Sequence, residues 1–277
     1  MTIQLVTRSI WANPGNGGKR LKKTLDALIW QIQKRTLRTP RLLRLSNGLL
    51  FKAYPDCVVS SGLIYADWPE FNELMFVRKS LQPSDVVIDV GAYVGHISLL
   101  LADIVGAGKL FAFEPTPSSF QRLKENWQIN GWPATNLFQS AVGAEQGTVF
   151  VRNDKQPCTM NNVTATPGGN QSVEVALVCL DDYLGHWRGG QLGFIKIDVE
   201  GYEIEVFKGS QQLLQEARPR LIMFESLGGR LEPAISELLS AQRYVVFQLG
   251  ADGRPDFTCH HAQNLFAVPE ENRGAFS

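Results

Sequence analysis

The stretch VVIDVGAYVGHISLLLA at residues 86–102 constrains the fold of this chain more than any other part of its sequence. Its first five residues are apolar except for Asp89, as expected of a parallel strand that is covered on both faces. Gly91 and Gly95 then bracket a turn in which the backbone bends sharply and lets a ligand lie close to it. The apolar residues after His96 continue as a helix. A strand, a glycine turn and a helix in this order form the unit that holds a nucleotide-like ligand at the end of a strand.

The spacing of the glycines in this turn indicates which kind of ligand it binds. Asp89, Gly91 and Gly95 give the pattern D-x-G-x-x-x-G, with Ala92 and Tyr93 inside the turn. A dinucleotide fingerprint requires G-x-G-x-x-G and a P-loop requires G-K-[ST] after its glycines, so neither template fits. The pattern resembles motif I of the class I S-adenosylmethionine (SAM) methyltransferases, with Tyr93 where many members carry a third glycine. Taken alone, it is also compatible with an ordinary turn after a strand.

Two later stretches strengthen the resemblance. KLFAFEP at 109–115 is an apolar strand that ends in Glu114, about twenty residues past the glycine turn, where a carboxylate can accept hydrogen bonds from both hydroxyls of a cofactor ribose. FIKIDVEGYEIEVFKGS at 194–210 runs from a strand into a helix, and RLIMFE follows at 220–225. Together these motifs resemble the FkbM family of SAM-dependent O-methyltransferases over roughly residues 70–227. The K-x-D-x-E-G-x-E run at 196–203 is their most specific part.

The resemblance implies an α/β fold of the class I methyltransferase, Rossmann-like type. We expect a seven-stranded, mostly parallel sheet with a C-terminal antiparallel hairpin and helices on both faces. A basic N-terminal arm with a helix and a hairpin, residues 1–54, is predicted to precede the methyltransferase domain, residues 55–277. Residues 1–18 are predicted to be a turn-rich lead, and residues 62–69 a loop before a helix over 70–81. Residues 137–143 are predicted to form the third strand, and residues 147–152 and 172–180 an antiparallel excursion.

The same resemblance implies SAM as the cofactor and assigns residues to it. These residues are Asp89, Gly91, Ala92, Tyr93, Gly95, Glu114, Pro115, Ser140 and Ala141. The helix that starts at His96 is expected to direct free backbone N–H groups at the methionine carboxylate. Ser140 and Ala141 fall where the class contacts adenine, but Ser140 would equally suit a turn cap. An acidic residue over the pocket is either Glu70 or Glu73, and both would also suit the first turn of a solvated helix.

Methyl transfer to a hydroxyl requires a base, because the oxygen becomes acidic only as the new bond forms. Asp198 and Glu200 are the best candidates, since they follow a strand at the edge where α/β proteins bind ligands. Lys196 lies on the same face of that strand, and we expect it to pair with a carboxylate. Glu225 ends the next strand and would share the acceptor or assist as base. Helix capping is the alternative role for Asp198 or Glu200. Asp198 and Glu225 alone are too few ligands to predict a metal.

The N-terminal arm is strongly basic. Residues 1–54 contain eleven lysine and arginine residues against the single acid Asp26, a net charge of +10, and the rest of the chain carries −10. Residues 19–37 predict an amphipathic helix whose leucine and isoleucine stripe packs on the domain, with a membrane-surface role as the alternative. The arm would dock on its own domain, a second subunit, an anionic lipid surface or a phosphorylated substrate. No nucleic-acid partner is expected, because aromatic residues do not interleave with the basic ones.

Apolar segments and cysteine spacing limit the classes of protein to which this chain can belong. The sequence has no window of eighteen apolar residues and no secretory apolar core, so we predict neither a membrane span nor a signal peptide. We therefore expect a cytoplasmic protein. The four cysteines lack C-x-x-C spacing, which argues for reduced thiols and against a zinc site or a disulfide scaffold.

We therefore expect a SAM-dependent O-methyltransferase acting on a hydroxyl of a sugar, a glycolipid or a secondary metabolite. A nucleotide (NAD)-dependent oxidoreductase is the first alternative; it explains Glu114 but not the glycine spacing or the acidic run at 196–203. A non-catalytic SAM-binding module that docks through its basic arm is the second. The acceptor and the oligomeric state have no sequence signature, and the polar segment at 153–171 is expected to help shape the acceptor pocket.

Overall fold

The computed structural model describes residues 3–66, 68–152, 164, 172–186 and 190–276, so most of the segment predicted to shape the acceptor pocket lies outside the described residues. The α-helices are α1 (Ile3–Ala12), α2 (Arg20–Thr36), α3 (Val58–Ala66), α4 (Phe71–Ser80), α5 (His96–Val105), α6 (Pro117–Gln128), α7 (Glu203–Lys208) and α8 (Pro233–Ala241). The strands are β1 (Arg41–Arg44), β2 (Leu50–Ala53), β3 (Val86–Val90), β4 (Leu110–Phe113), β5 (Leu137–Phe138), β6 (Ser140–Val142), β7 (Gly147–Arg152), β8 (Ser172–Val178), β9 (Leu192–Ile197), β10 (Leu221–Glu225), β11 (Tyr244–Leu249), β12 (Pro255–Asp256) and β13 (Asn264–Pro269).

The main sheet has the strand order β12-β11-β13-β10-β9-β3-β4-β5. The strands from β5 to β10 in this order run parallel, and β13 is antiparallel to both β10 and β11. This is the predicted class I methyltransferase sheet with its terminal antiparallel pair, and the prediction is confirmed. The two-residue β12 adds a short edge strand to the seven expected. Because parallel strands share one carboxyl edge, the ends of β3, β4, β9 and β10 lie together.

Apolar side chains cover both faces of this sheet. β3 is buried at all five positions, as its run of apolar residues, interrupted only by Asp89, predicts. Successive side chains of a strand point to opposite faces, so Val87 packs in one core with Leu99 and Leu123 of α5 and α6. Ile88 packs in the other core with Val206 of α7 and other residues of α7 and α8. The two cores fix the central strands between helical layers.

A second, three-stranded sheet has the order β6-β8-β7. The predicted antiparallel excursion is confirmed, with Gly147 of β7 opposite Leu177 of β8 and Arg152 opposite Ser172. The prediction of one strand over 137–143 is wrong in part, because the chain leaves the main sheet at Gln139. β5 stays paired with β4, whereas β6 pairs in parallel with β8.

The N-terminal region is more helical than the sequence suggested. The turn-rich lead contains α1, and the predicted loop at 62–69 overlaps α3. Six of the nine residues of α3 are buried, so this helix lacks the one-sided apolar pattern by which helices are recognised in a sequence. The predicted hairpin is confirmed as β1 paired antiparallel with β2.

Helix α2 forms where predicted, but the expected packing of its apolar stripe is wrong. Leu21, Leu25 and Ile32 are exposed, whereas Lys23 and Trp30 on the other side are buried. Trp30 occupies the space against α3, donating its Nε1–H to Ser61 Oγ at 3.0 Å. The packing surface is therefore set by one large aromatic side chain and not by the aliphatic stripe.

Within the described parts of the chain, no helix combines the length and the apolar character needed to cross a bilayer.

Candidate active site

A cavity of about 510 Å³ opens at the carboxyl ends of β3, β4, β9 and β10. This volume lies in the range of roughly 300 to 1,000 Å³ that is usual for small-molecule and cofactor sites. Nine of the residues predicted from the sequence line it: Gly91, Tyr93, Glu114, Pro115, Ser140, Ala141, Asp198, Glu200 and Glu225. The cavity thus joins six of the nine residues assigned to the cofactor with three of the four assigned to catalysis.

The other four predicted residues, Asp89, Ala92, Gly95 and Lys196, lie outside the lining of this cavity. Asp89 is fully buried; its Oδ2 accepts from Ser98 Oγ at 2.5 Å. Ala92 is buried in the core. Gly95 has φ +86°, and a Cβ there would lie 2.5 Å from Leu123 Cδ1, so this glycine permits close packing against α6. These residues support the cavity wall without lining the cavity.

At Gly91, the glycine turn at residues 91–95, here called the cofactor turn, contacts the loop at 198–202 after β9, here called the acidic loop. The φ of Gly91 is +78°, and a Cβ added there would lie 1.7 Å from the carbonyl oxygen of Asp198. The backbone N–H of Asp198 donates to the Val90 carbonyl at 3.1 Å, and Lys196 Nζ donates to the Gly91 carbonyl at 3.2 Å. Only glycine meets both the conformational and the steric requirement here.

Glu114 is held at the cavity wall by two backbone donors. Its Oε2 accepts from the N–H of Tyr93 at 2.9 Å, and its Oε1 accepts from the N–H of Thr116 at 2.8 Å. Burial raises the pKa of Glu114 to about 7 even though these donors oppose the shift. The Thr116 side chain also hydrogen-bonds to Glu114. A carboxylate has about four lone-pair sites, so Glu114 can still accept a hydrogen bond from a ligand hydroxyl.

Ser140 and His96 each have a buried polar side-chain atom without a hydrogen-bond partner among the described residues. Ser140 Oγ is buried in the cavity wall and has no hydrogen-bond partner among the described residues, so it does not cap a turn. A buried hydroxyl of this kind is normally satisfied, which indicates a ligand group opposite it. Burial, together with the nearby Lys196 cation, lowers the pKa of His96 to about 3, so this imidazole is neutral.

Three carboxylates form an acidic corner across the cavity. Asp198, Glu200 and Glu225 each place one carboxylate oxygen within 4.8 Å of the others. Burial raises the pKa of Glu200 to about 7, and the charges of Glu225 and Asp198 act in the same direction. Burial also raises the pKa of Glu225. Burial opposes ionisation of Asp198 as well, but the Lys196 ammonium at 3.2 Å outweighs it and lowers the pKa of Asp198.

Lys196 makes the pairing that its position in a strand predicts. It is 2% exposed, and its Nζ lies 3.5 Å from Asp89 Oδ1 and 3.2 Å from Asp198 Oδ2. Burial alone lowers a lysine pKa, but the two carboxylates raise the pKa of Lys196 above its usual value. The corner therefore combines one firmly ionised acid with two acids of raised pKa. Carboxylate oxygens in such a group are the donor type that hard cations use.

The loop that carries Asp198 and Glu200 is tied down by Glu203. Glu203 Oε1 accepts from the N–H groups of Val199 at 3.1 Å and Gly201 at 3.2 Å. Glu200 itself has φ +54°, a strained conformation for a residue with a side chain. Tyr202 precedes α7, and no described side chain caps this helix, so the capping role considered for Asp198 or Glu200 is wrong.

Between the two acids considered before motif I, Glu70 lines the cavity and Glu73 does not.

Other residues of the cavity carry no recognisable signal in the sequence. These are Val59 of α3 and, near the C-terminal hairpin, Gln263 and Asn264. Asn264 reaches the site because it pairs with Glu225 across β10 and β13. Only the strand order, which the sequence predicts in outline, could have located it.

Comparison with known protein families finds one family that matches the part of the chain that carries this site. Residues 89–249, more than half of the 277-residue chain, match the family described as Methyltransferase FkbM domain. The matched segment begins at Asp89 and contains Glu114 and the whole acidic corner.

Two curated relatives are similar over much of the chain. The hexuronic acid methyltransferase AglP of Haloferax volcanii is 24% identical over 197 residues, covering 70% of this chain and 78% of that protein. Methyltransferase sdnD of Sordaria araneosa is 23% identical over 250 residues, covering 79% of this chain and 94% of that protein. Among solved structures, the methyltransferase FkbM of Methylobacillus flagellatus is 14% identical with a TM-score of 0.47. That match covers 90% of this chain but only 60% of the crystallised protein.

Proposed function

The chain belongs to the FkbM methyltransferase family, and from that premise we propose that it transfers a methyl group from SAM to a hydroxyl oxygen of a small-molecule acceptor. One observation carries the proposal. A single cavity of about 510 Å³ contains Glu114 at one side and the acidic corner of Asp198, Glu200 and Glu225 at the other. A nucleoside-type cofactor and a hydroxyl acceptor would therefore meet inside one pocket.

The cavity wall has the donors and acceptors that SAM requires. Glu114 would accept a hydrogen bond from a ribose hydroxyl, because its protein donors leave part of its acceptor capacity unused. Ser140 Oγ, for which the described part of the chain offers no hydrogen-bond partner, would bond the adenine edge, with Ala141 packing beside it. His96 and Ile97 in the first turn of α5 also line the cavity, and a helix N-terminus favours a carboxylate such as that of the methionine moiety.

The acidic corner would hold the acceptor and take its proton. SAM supplies a methyl group on a sulfonium that is already a good leaving group, so the protein's task is orientation and proton removal. Holding the two reactants in line is worth roughly 7 to 11 kcal/mol in well-oriented systems. Asp198, kept ionised by Lys196, would accept a hydrogen bond from the acceptor hydroxyl. Glu200, with its pKa raised to about 7, is matched to act as general base near neutral pH.

A polyhydroxylated acceptor fits this corner best. Several carboxylates within 4.8 Å of one another offer many acceptors for hydroxyl groups. The relative from Haloferax volcanii is named for a hexuronic acid, which supports a sugar hydroxyl as the acceptor here. Glycolipids and hydroxylated secondary metabolites present the same chemistry and belong in the same test.

Titration calorimetry tests the cofactor. We expect the purified protein to bind SAM, Glu114→Ala to weaken binding at least tenfold, and the exposed α8 variant Glu237→Ala to bind as the wild type does. NAD(H) is titrated in parallel. Binding of NAD(H) without SAM would favour an oxidoreductase, and absence of SAM binding to the folded protein would overturn the proposal.

Methyl transfer from radiolabelled SAM to a panel of uronic acids, glycolipids and hydroxylated metabolites tests the reaction. We expect incorporation by the wild type and its loss in Asp198→Asn and Glu200→Gln variants that still bind SAM. SAM binding with no transfer to any acceptor would instead favour a non-catalytic binding module.

A further inference from the structure

Helix α2 turns its aliphatic stripe away from the protein. The exposed side chains, 41% to 78% accessible, are Leu21, Leu25, Leu28, Ile29 and Ile32. The opposite side, with Lys23, Ala27 and Trp30, faces α3 and is buried. A row of five large aliphatic side chains in water is costly, and such exposed patches mark surfaces that bind another phase or molecule.

Cations border this stripe. At 3.6 residues per turn, Lys22 and Arg35 flank the aliphatic face on opposite sides of α2, and both are exposed. Lys19 before the helix and Arg38 after it are exposed as well. An aliphatic face with a rim of lysine and arginine is the pattern of a helix that lies in the interface of a membrane.

A basic cavity of about 440 Å³ adjoins the helix. It lies between α2 and the β1–β2 hairpin and is lined by five cations and one acid, Lys19, Lys22, Lys23, Arg41, Arg44 and Asp26. Asp26 is already engaged by Arg41 at 3.5 Å and by Lys22 at 3.8 Å. Arg41 Nη1 is buried without a hydrogen-bond partner among the described residues. The excess of donors and positive charge suits a phosphate-bearing group.

We propose that α2 and this basic cavity dock the protein on an anionic lipid bilayer. The aliphatic stripe enters the boundary between headgroups and acyl chains, and the cavity receives an anionic headgroup. A second copy of the chain fits this surface poorly. A two-fold interface brings the same patch of both copies together, so the rims of cations, each in an arm of net charge +10, would face one another. The docking concerns binding alone and does not depend on methyl transfer.

Vesicle flotation tests the proposal with the full chain. We expect the wild type to float with vesicles of phosphatidylcholine that contain phosphatidylserine and to stay below with phosphatidylcholine alone, and salt to release it. Leu25→Gln/Ile32→Gln should weaken vesicle binding about tenfold or more, whereas Val58→Gln, at an exposed apolar position on α3, should change it less than about twofold.

Charge-reversal variants distinguish an effect of the cations that border the aliphatic stripe from an effect of the net charge of the protein. Lys22→Glu/Arg35→Glu should weaken vesicle binding about tenfold, while Arg78→Glu/Lys79→Glu, an equal charge change on exposed positions of α4, should have little effect. Melting curves confirm that the variants, all at exposed positions, remain folded. Equal loss in both charge variants would reduce the effect to net charge and overturn the docking surface. Absence of vesicle binding by the wild type would also overturn the docking surface. Light scattering would then show whether the stripe instead binds a second copy of the chain, in which case Leu25→Gln/Ile32→Gln would convert a dimer to monomers.

Discussion

The Nζ atom of Lys196 lies 3.2 Å from Oδ2 of Asp198, although the lysine is buried in the middle of the central sheet. The same ammonium group lies 3.5 Å from Asp89, which is fully buried behind the glycine turn. Lys196 therefore links Asp89, which precedes the cofactor turn, to Asp198 of the acidic corner. It neutralises one carboxylate that has no access to solvent and keeps another ionised at the cavity.

Replacing this lysine should destabilise the protein strongly. Lys196→Met leaves the Asp89 carboxylate buried without its cation, and breaking a buried pair costs about 3 to 5 kcal/mol of the free energy of unfolding. Urea denaturation measures this loss. Lys208→Met, which removes only the exposed pair with Glu205, should change the free energy of unfolding little. Adding Asp89→Asn to Lys196→Met should recover part of the loss. A cost for Lys196→Met as small as that of Lys208→Met would contradict the assigned role.

The pH dependence of methyl transfer should follow Glu200. Its pKa is raised to about 7, and a general base must be deprotonated, so kcat/KM should increase with pH through about 7. Asp198 cannot produce this increase, because its pKa is lowered and it is already ionised at these pH values. Glu200→Gln should lower kcat by roughly 10²- to 10⁴-fold and remove the increase, with SAM affinity unchanged. Glu237→Gln, on the exposed side of α8, is the matched control. An unchanged profile in Glu200→Gln would transfer the role of base to another group.

Glu114 should make the stability of the cofactor-free protein depend on pH. Burial raises its pKa from 4.5 to about 7, so the folded state favours the protonated acid. The stabilising contribution is therefore fully present below about pH 4.5 and is lost as the pH rises through about 7. Between about pH 5 and about pH 8 the unfolding free energy of the wild type should fall, relative to Glu114→Gln, by up to about 3 kcal/mol. Denaturant titrations at both pH values check this. Parallel behaviour of the two proteins would show that Glu114 ionises normally.

Gly91→Ala should prevent the cofactor turn from closing on the acidic loop. The added Cβ would lie 1.7 Å from the Asp198 carbonyl oxygen, and the positive φ adds strain of about 1 to 2 kcal/mol. We expect a loss of unfolding free energy above about 3 kcal/mol, accompanied by loss of SAM binding in calorimetry. Gly108→Ala is the control, because nothing lies within 4 Å of its Cβ position and it should change stability by less than about 1 kcal/mol. Similar melting temperatures for the two variants would refute the steric argument.

The core of the fold could be predicted because its information is local. The buried run of β3, the glycine turn and the apolar strands that end in Glu114 and Glu225 are visible within single segments. Parallel strands place their carboxyl ends at one edge, so those acids were expected to meet. The cavity that joins Glu114 with Asp198, Glu200 and Glu225 agrees with that expectation.

Predictions failed where the outcome depended on contacts between distant segments. Helix α3 is buried on most sides, so its sequence lacks a one-sided apolar pattern. The strand predicted over 137–143 divides because β8 offers β6 a second partner. Gln263 and Asn264 enter the cavity only through the pairing of β13 with β10.

By itself, the sequence determined the family, the order of the strands in the main sheet with the helices between them, and which carboxylates stand at the ends of strands, because periodicity and motif spacing are properties of neighbouring residues. The tertiary structure decided which face of α2 is buried, which acids retain raised pKa values and which loops complete the cavity. Burial and charge proximity are sums over residues far apart in the chain, and these sums exist only once the chain has folded.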